Sequence, residues 1–297
     1  MKSGIIVLKK EEGITSQGAV NRVKRLFSAE KAGHTGTLDP LATGVLPILI
    51  GRAVKASEYM LSSDKHYRAT LRLGITTDTE DITGNILTES DCVPNEEAVL
   101  SSISQFVGDI MQVPPMYSAL KVNGKKLCDL ARGGVEIERE ARSITVFSID
   151  AHKIDEKRYA LDVHCSKGTY IRTLCADIGK ALGCGGVMET LERTHASVFS
   201  LSDARTLSEF EAMSEDERDA LIVPTERVFE KYEKITLVPF FARLARCGVE
   251  IYLKKIGINL EEGTMLRLCD ESGFFALGEV RSFEDGLAIK PIKQFDV

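Results

Sequence analysis

The stretch Gly33-His34-Thr35-Gly36-Thr37-Leu38-Asp39-Pro40-Leu41-Ala42-Thr43-Gly44-Val45-Leu46-Pro47 brings together three glycines, two prolines, three threonines, one histidine and one aspartate. It stands between a helix and a strand. Upstream, residues 5–8 form a short apolar strand candidate, and Thr15-Ser16 offers an N-cap for a helix running to about Phe27. Val20, Val23 and Phe27 share the buried face of that helix. Downstream, residues 45–50 are uninterruptedly apolar and predict a fully buried strand. Glycines permit positive φ and close approach of a ligand to the backbone. The residue before a proline is pushed to extended geometry. Asp39 is therefore expected in a loop fixed beside rigid elements. Composition alone leaves two roles open for it, a local Asx turn or a reactive carboxylate.

Further along, residues 67–73 alternate. Tyr67, Ala69, Leu71 and Leu73 point one way, and Arg68, Thr70 and Arg72 the other. The acidic stretch 77–97 reads as a loop leading into a helix near residues 96–107. Pro114-Pro115 breaks the chain, and residues 125–132 form a short helix ended by Gly133-Gly134. Residues 144–154, 158–164 and 196–201 are strand-like, and 170–182 is helical with Leu174, Ile178 and Leu182 on one face. Two short acidic helices are expected over 207–222. After residue 235 come short strand-like runs at 250–253, 265–268, 274–280 and 287–289, separated by glycines. Strands and helices mix without regular βαβ alternation. This favours an α+β fold with a mixed, mostly antiparallel sheet, residues 1–235 forming one domain and 236–297 a small β-rich one.

A chain of 297 residues with 43% hydrophobic content can bury a sizeable core. No apolar run is long enough for a membrane span, and the N-terminus lacks the apolar stretch of a signal peptide. Seven cysteines without a CxxC pair read as free thiols in a reducing compartment, which makes the cytoplasm the expected address. The net charge is -6, but acid and base are segregated. Residues 1–76 hold 12 Lys and Arg against 6 Asp and Glu, whereas residues 77–120 hold no Lys or Arg and 8 Asp and Glu. A focused basic surface of this kind can attract phosphates although the whole chain is anionic. Arg22, Lys24, Arg25, Arg52, Lys55, Arg68 and Arg72 are its candidate contacts. There is no phosphate-binding G-x-x-x-x-G-K-[ST], no dinucleotide G-x-G-x-x-G after a strand, no HExxH and no G-x-S-x-G. Five scattered histidines and no paired Cys/His spacing argue against zinc. The segment 77–84 lacks EF-hand spacing and reads as an acidic loop. No cofactor is expected.

The Asp39 segment resembles the nucleophile motif of the TruB family of pseudouridine synthases. Further stretches match in the same order: Lys65-His66-Tyr67-Arg68, Thr77-Asp78-Thr79-Glu80-Asp81, Val113-Pro114-Pro115-Met116-Tyr117-Ser118-Ala119-Leu120-Lys121, Cys165-Ser166-Lys167-Gly168-Thr169-Tyr170-Ile171-Arg172-Thr173-Leu174, and Gly183-Cys184-Gly185. They span roughly residues 3–200, and their order is far more specific than any one alone.

The resemblance implies a pseudouridine synthase fold and a tRNA substrate, whose T-loop uridine at position 55 would be isomerised. Breaking N1–C1′, turning the base and joining C5 to C1′ is redox-neutral, in keeping with the missing cofactor motifs. The family pattern makes Asp39 the nucleophile, towards either C1′ of the ribose or C6 of the ring. It sets Arg172 beside Asp39, where a guanidinium would oppose the upward pull of burial on the carboxyl pKa. Tyr67 would stack on the flipped uracil and move a proton at C5, and His34 would help extrude the base. Leu191 would pack on that base, with Thr37 and Lys65 as further substrate-binding residues. The C-terminal residues fit a PUA-like RNA-binding domain in size and strand content. The chain is expected to act as a monomer on the tRNA T-arm, without guide RNA or membrane. The rivals are the catalytic subunit of a guide-RNA particle, an RNA-binding protein without catalysis and, more distantly, a metal-dependent hydrolase.

Overall fold

The computed structural model describes residues 2–91, 94–122 and 124–295; Cys92, one of the seven thiols, lies outside them. The chain opens with strand β1 (Gly4–Lys10), helix α1 (Ser16–Leu26), β2 (Ala32–His34), β3 (Thr43–Ile50), α2 (Ser57–Leu61) and β4 (Lys65–Leu73). A hairpin of β5 (Ile75–Thr77) and β6 (Ile86–Glu89) precedes α3 (Glu96–Ser104) and β7 (Gly108–Gln112). The short strands β8 (Lys121–Val122) and β9 (Lys125–Lys126) lead into α4 (Leu127–Arg132). Then come β10 (Arg142–Lys153), β11 (Arg158–Cys165), α5 (Ile171–Ala181), β12 (Gly186–Ala196), β13 (Phe199–Ser200), α6 (Leu207–Ala212) and α7 (Glu215–Ala220). The last part holds β14 (Glu233–Thr236), α8 (Pro239–Arg246), β15 (Ile251–Tyr252), α9 (Leu253–Ile256), β16 (Met265–Asp270), β17 (Gly273–Phe283) and β18 (Gly286–Gln294).

Among the described residues the main sheet runs β1-β3-β12-β4-β11-β10-β7, with β2 added on β3 and β13 on β12. Every pairing is antiparallel except β3 with β12, so the sheet is mixed and mostly antiparallel as expected. The uninterrupted apolar runs of β1 and β3 have a direct cause. Ile6, Leu8, Leu46, Ile48 and Ile50 face the core that contains α1 and α5, while Ile5, Val7, Val45 and Leu49 face a second core. Successive residues point to opposite faces, so both faces must be apolar. The second core includes Phe229, Leu277 and Phe295, and through it the C-terminal sheet (β14-β16-β17-β18-β15) docks on the first.

Thr15 caps α1, its hydroxyl accepting from Gly18 N at 3.0 Å, and Val20, Val23 and Phe27 are buried as predicted. Several segments differ from the sequence expectation. Residues 86–89 are a strand rather than open loop, α3 stops at Ser104, and Lys125-Lys126 pair with β8 instead of opening α4. Only Ile251–Tyr252 of the 250–253 run is strand, and β14 and α8 were not foreseen. The most consequential departure is β12, an interior strand between β3 and β4. Its pairing with β4 carries irregularities at Met188/Thr190 and at Arg193/His195. Each bulge shifts the side-chain alternation by one and erases the period-2 pattern by which a strand is read.

Gly44 is where β3 crosses β12. Its φ is +103°, and a Cβ there would lie 2.3 Å from the Arg193 carbonyl oxygen. Both partners are backbone in paired strands, so neither can yield. Gly44→Ala is expected to destabilise the protein by about 3 kcal/mol or more, read as a lower urea midpoint. A loss under about 1 kcal/mol would show that the crossing relaxes freely.

Candidate active site

Buried polar groups fix the Asp39 loop. Ser16, in the first turn of α1, donates to Leu38 O at 2.9 Å and accepts from Leu38 N at 2.8 Å. Lys10, at the end of β1, donates to Ala42 O at 2.6 Å and Pro40 O at 3.2 Å. Arg193, on β12 and only 1% exposed, donates to Val45 O at 2.8 Å and Gly36 O at 3.2 Å. The loop is thus pinned from α1, β1 and β12, so Asp39 is positioned by the sheet and not by local turn geometry alone.

Arg172 approaches from the first turn of α5. That helix start is set from β7: Gln112 accepts from Tyr170 N at 2.8 Å and donates to Tyr170 O at 3.0 Å. A cation at a helix N-terminus opposes the macrodipole and requires anions around it. Arg172 Nε lies 2.9 Å from Asp39 Oδ2, and Nη1 lies 3.9 Å from Asp81 Oδ2. Its remaining N–H groups donate to Thr79 O at 3.0 Å and Tyr117 O at 2.7 Å. Arg172 is 4% exposed, and these contacts hold its guanidinium in one orientation. Asp81 is itself held by Thr79 and Thr83, which donate to its Oδ1. The acidic segment 77–84 therefore serves as the wall behind Arg172.

These groups open on a cavity of about 240 Å³ lined by Asp39, Tyr67, Arg172, Leu191 and Arg193, with Thr37 and Lys65 at its edges. The Asp39 side chain keeps 34% of its surface exposed to that space. Burial pushes its carboxyl above the ordinary value, with Asp81 adding to the push; Arg172 is the strongest force in the other direction, and Lys10 helps it. Burial likewise raises the Tyr67 phenol, against the pull of the Arg193 guanidinium. At neutral pH the phenol therefore carries its proton.

Of the residues singled out in the sequence, Asp39, Tyr67, Arg172, Leu191, Thr37 and Lys65 meet at this cavity. Lys65 is committed inwards: its ammonium donates to Leu61 O at 3.1 Å and to Ser63 O, and burial lowers its pKa to about 8. Thr37 is exposed at the lip. His34 is not in the cavity wall. It sits half-buried on β2, its Nδ1 is buried without a hydrogen-bond partner among the described residues, and burial with Arg193 holds its ring neutral. Among the candidate phosphate contacts, Arg68 and Arg72 pair with carboxylates of the protein. Arg68 lies 3.4 Å from Asp162 and 3.7 Å from Glu192, and Arg72 lies 3.5 Å from Glu189. Arg22, Lys24 and Arg25 stay exposed along α1. Sequence reasoning missed Arg193, Lys10 and Ser16. Only burial distinguishes them, and no motif announces it.

The chain matches the model of the TruB family pseudouridylate synthase N-terminal domain over residues 24–171, and that of the tRNA pseudouridylate synthase B C-terminal domain over 172–230. It is 42% identical to a tRNA pseudouridine synthase B of Clostridium tetani, over 93% of this chain and 95% of that protein. It is 44% identical to one of Methylobacillus flagellatus, over 94% of this chain and 91% of that protein. Among solved structures, the archaeal box H/ACA sRNP Nop10–Cbf5 complex contains a chain with the same fold, at a TM-score of 0.70 and 25% identity over 99% of this chain and 86% of that one. Relatives at this identity and near-complete coverage, with an Asp–Arg cavity on the matching fold, establish that the chain belongs to the TruB family of pseudouridine synthases.

Proposed function

We propose that the protein isomerises the T-loop uridine at position 55 of tRNA to pseudouridine by flipping the base into the Asp39 cavity, with Asp39 as nucleophile. The observation that carries this reading is the 2.9 Å pair between Asp39 and a buried, fully engaged Arg172 at a cavity sized for a single base. The pair opposes the upward push of burial on the carboxyl and so favours the ionised form that nucleophilic attack on C1′ or C6 requires. Leu191 and the Tyr67 ring supply apolar faces for an extruded uracil, and the protonated phenol can exchange a proton at C5. Extrusion costs a few kcal/mol, offset by these contacts and by phosphate contacts outside the cavity. His34, half-buried on β2 outside the cavity wall, is read as helping to extrude the base. Residues 236–297 are read as a PUA-like module that contacts the tRNA.

The bacterial relatives named tRNA pseudouridine synthase B are much more similar to this chain than the guide-RNA particle subunits that share its fold. A monomer acting without guide RNA or cofactor in the cytoplasm is therefore the favoured form. No helix among the described residues is long and apolar enough to cross a membrane. The test is to incubate purified protein with an unmodified tRNA transcript in EDTA, without guide RNA or nucleotide, and to map pseudouridine. One modified T-loop uridine is expected, and no conversion under these conditions contradicts the proposal.

Tyr67→Phe keeps the stacking ring and removes the phenol. Turnover is expected to fall by ~10²-fold or more with little change in tRNA affinity. Single-turnover conversion checks it, and an unchanged rate removes the proton role.

A further inference from the structure

Histidines far apart in the sequence meet on the outward face of the main sheet. In register, His66 of β4 lies opposite His164 of β11 on one side and His195 of β12 on the other. The His66 and His164 rings stack with centroids 3.9 Å apart and planes 10° apart. The His195 ring is 4.9 Å from His66. Asp64, just before β4, places Oδ2 2.5 Å from His164 Nε2. The ligand-capable atoms of Asp64, His66 and His164 all lie within 4.8 Å of one another. Alternation along β4 puts His66 on the face opposite Lys65 and Tyr67, and none of these four residues lines the Asp39 cavity.

The chemistry of the group suits a cation. Two face-to-face imidazoles cannot both carry charge comfortably. An imidazole in its neutral form offers a nitrogen lone pair to a cation. Asp64 adds a carboxylate oxygen beside the two rings. Two imidazoles and a carboxylate are a donor set for zinc and its neighbours rather than for calcium or magnesium. A tetrahedral site with metal–ligand bonds of about 2.1 Å needs ligand atoms roughly 3.4 Å apart. The observed separations require small turns about side-chain torsions, in residues whose backbones are already fixed on neighbouring strands. Phe147, with its ring 4.6 Å from that of His164, covers one side.

We propose that Asp64, His66 and His164 bind a divalent transition-metal ion of the zinc class, with water completing its shell and His195 beside it. The ion ties the start of β4 to the end of β11, the strand end that also carries Lys65 and Tyr67. It is a strand-linking site outside the reaction, so its presence is compatible with turnover in EDTA.

The probe is ZnCl2 added to tag-free, chelator-stripped protein at mildly alkaline pH, followed by calorimetry and by thermal melting. One equivalent is expected to bind in the micromolar range and to raise the melting temperature. His66→Gln and His164→Gln should each weaken binding at least tenfold and abolish the rise. His152→Gln, an exposed histidine elsewhere on β10, should leave both unchanged. Melting in EDTA shows whether each variant is folded, and the partial exposure of these side chains makes either histidine variant sufficient for the test. No saturable binding up to millimolar zinc overturns the proposal, as does equal affinity in a folded His66→Gln or His164→Gln protein.

Discussion

Asp39→Asn is expected to lower pseudouridine formation by ~10⁴-fold or more while tRNA still binds with near-normal affinity. The amide has the shape of the carboxylate but cannot attack carbon. The contacts that hold the loop come from Ser16, Lys10 and Arg193 to backbone atoms of neighbouring residues, and Asn leaves them in place. Arg172 retains Asp81, Thr79 and Tyr117, and an Asn oxygen can still accept from its Nε. Two effects on stability oppose each other. Removing a partly buried charge helps the fold, and weakening an ion pair harms it, so a net change within about 1 kcal/mol is expected. Conversion and tRNA binding measured on the same preparation decide the matter. Binding that falls as far as turnover would make Asp39 a structural residue.

Arg172→Met should have the next largest effect, and its signature is a shift in pH dependence. Burial raises the Asp39 carboxyl above its ordinary value, and Arg172 is the largest force holding it down. Without the guanidinium the pKa rises further, because the largest opposing charge is gone. Activity needs the ionised form and is lost as pH falls through that pKa. The acid limb of kcat/KM is therefore expected to move to higher pH, with a large drop in the plateau. Stability should fall by about 3 kcal/mol, because Asp39 and Asp81 lose their cation and two buried carbonyls lose their donor. The sign of the pH effect on stability is also fixed. A carboxyl whose folded pKa lies above its unfolded one contributes stability that is fully present below the unfolded pKa and is lost as pH rises through the folded pKa. The deficit of Arg172→Met should thus grow from mildly acidic to neutral pH. Urea denaturation at several pH values tests this. An unmoved acid limb would show that Arg172 does not control the ionisation of Asp39.

How much of this was legible in the sequence differs from element to element. The continuous apolar runs of β1 and β3 gave correct strands because both of their faces are buried. α1 was legible because its cap and its periodic apolar residues agree. β12 was invisible because two irregularities break its alternation, and with it went Arg193, whose burial is a property of the folded sheet. The Asp39 loop was conspicuous by composition, yet composition could not separate a turn from a site. The ordered match to a family implies a site, and the three buried anchors show the physical reason the loop is rigid. Glycines in such a loop suggest close approach of a ligand, but Gly44 is required by the crossing of two strands. Three histidines counted as scattered lie in one ladder, because strand register brings together residues about a hundred positions apart.

The central claim is that a tRNA uridine leaves its stack and enters the cavity at Asp39. A crystal structure of the Asp39→Asn protein with an unmodified T-arm stem–loop tests it most directly. The target base is expected between Tyr67 and Leu191, with C1′ or C6 within roughly 3.5 Å of the residue 39 side chain, and that distance also identifies the atom attacked. A target uridine still stacked in the loop, or seated away from residue 39, would contradict it.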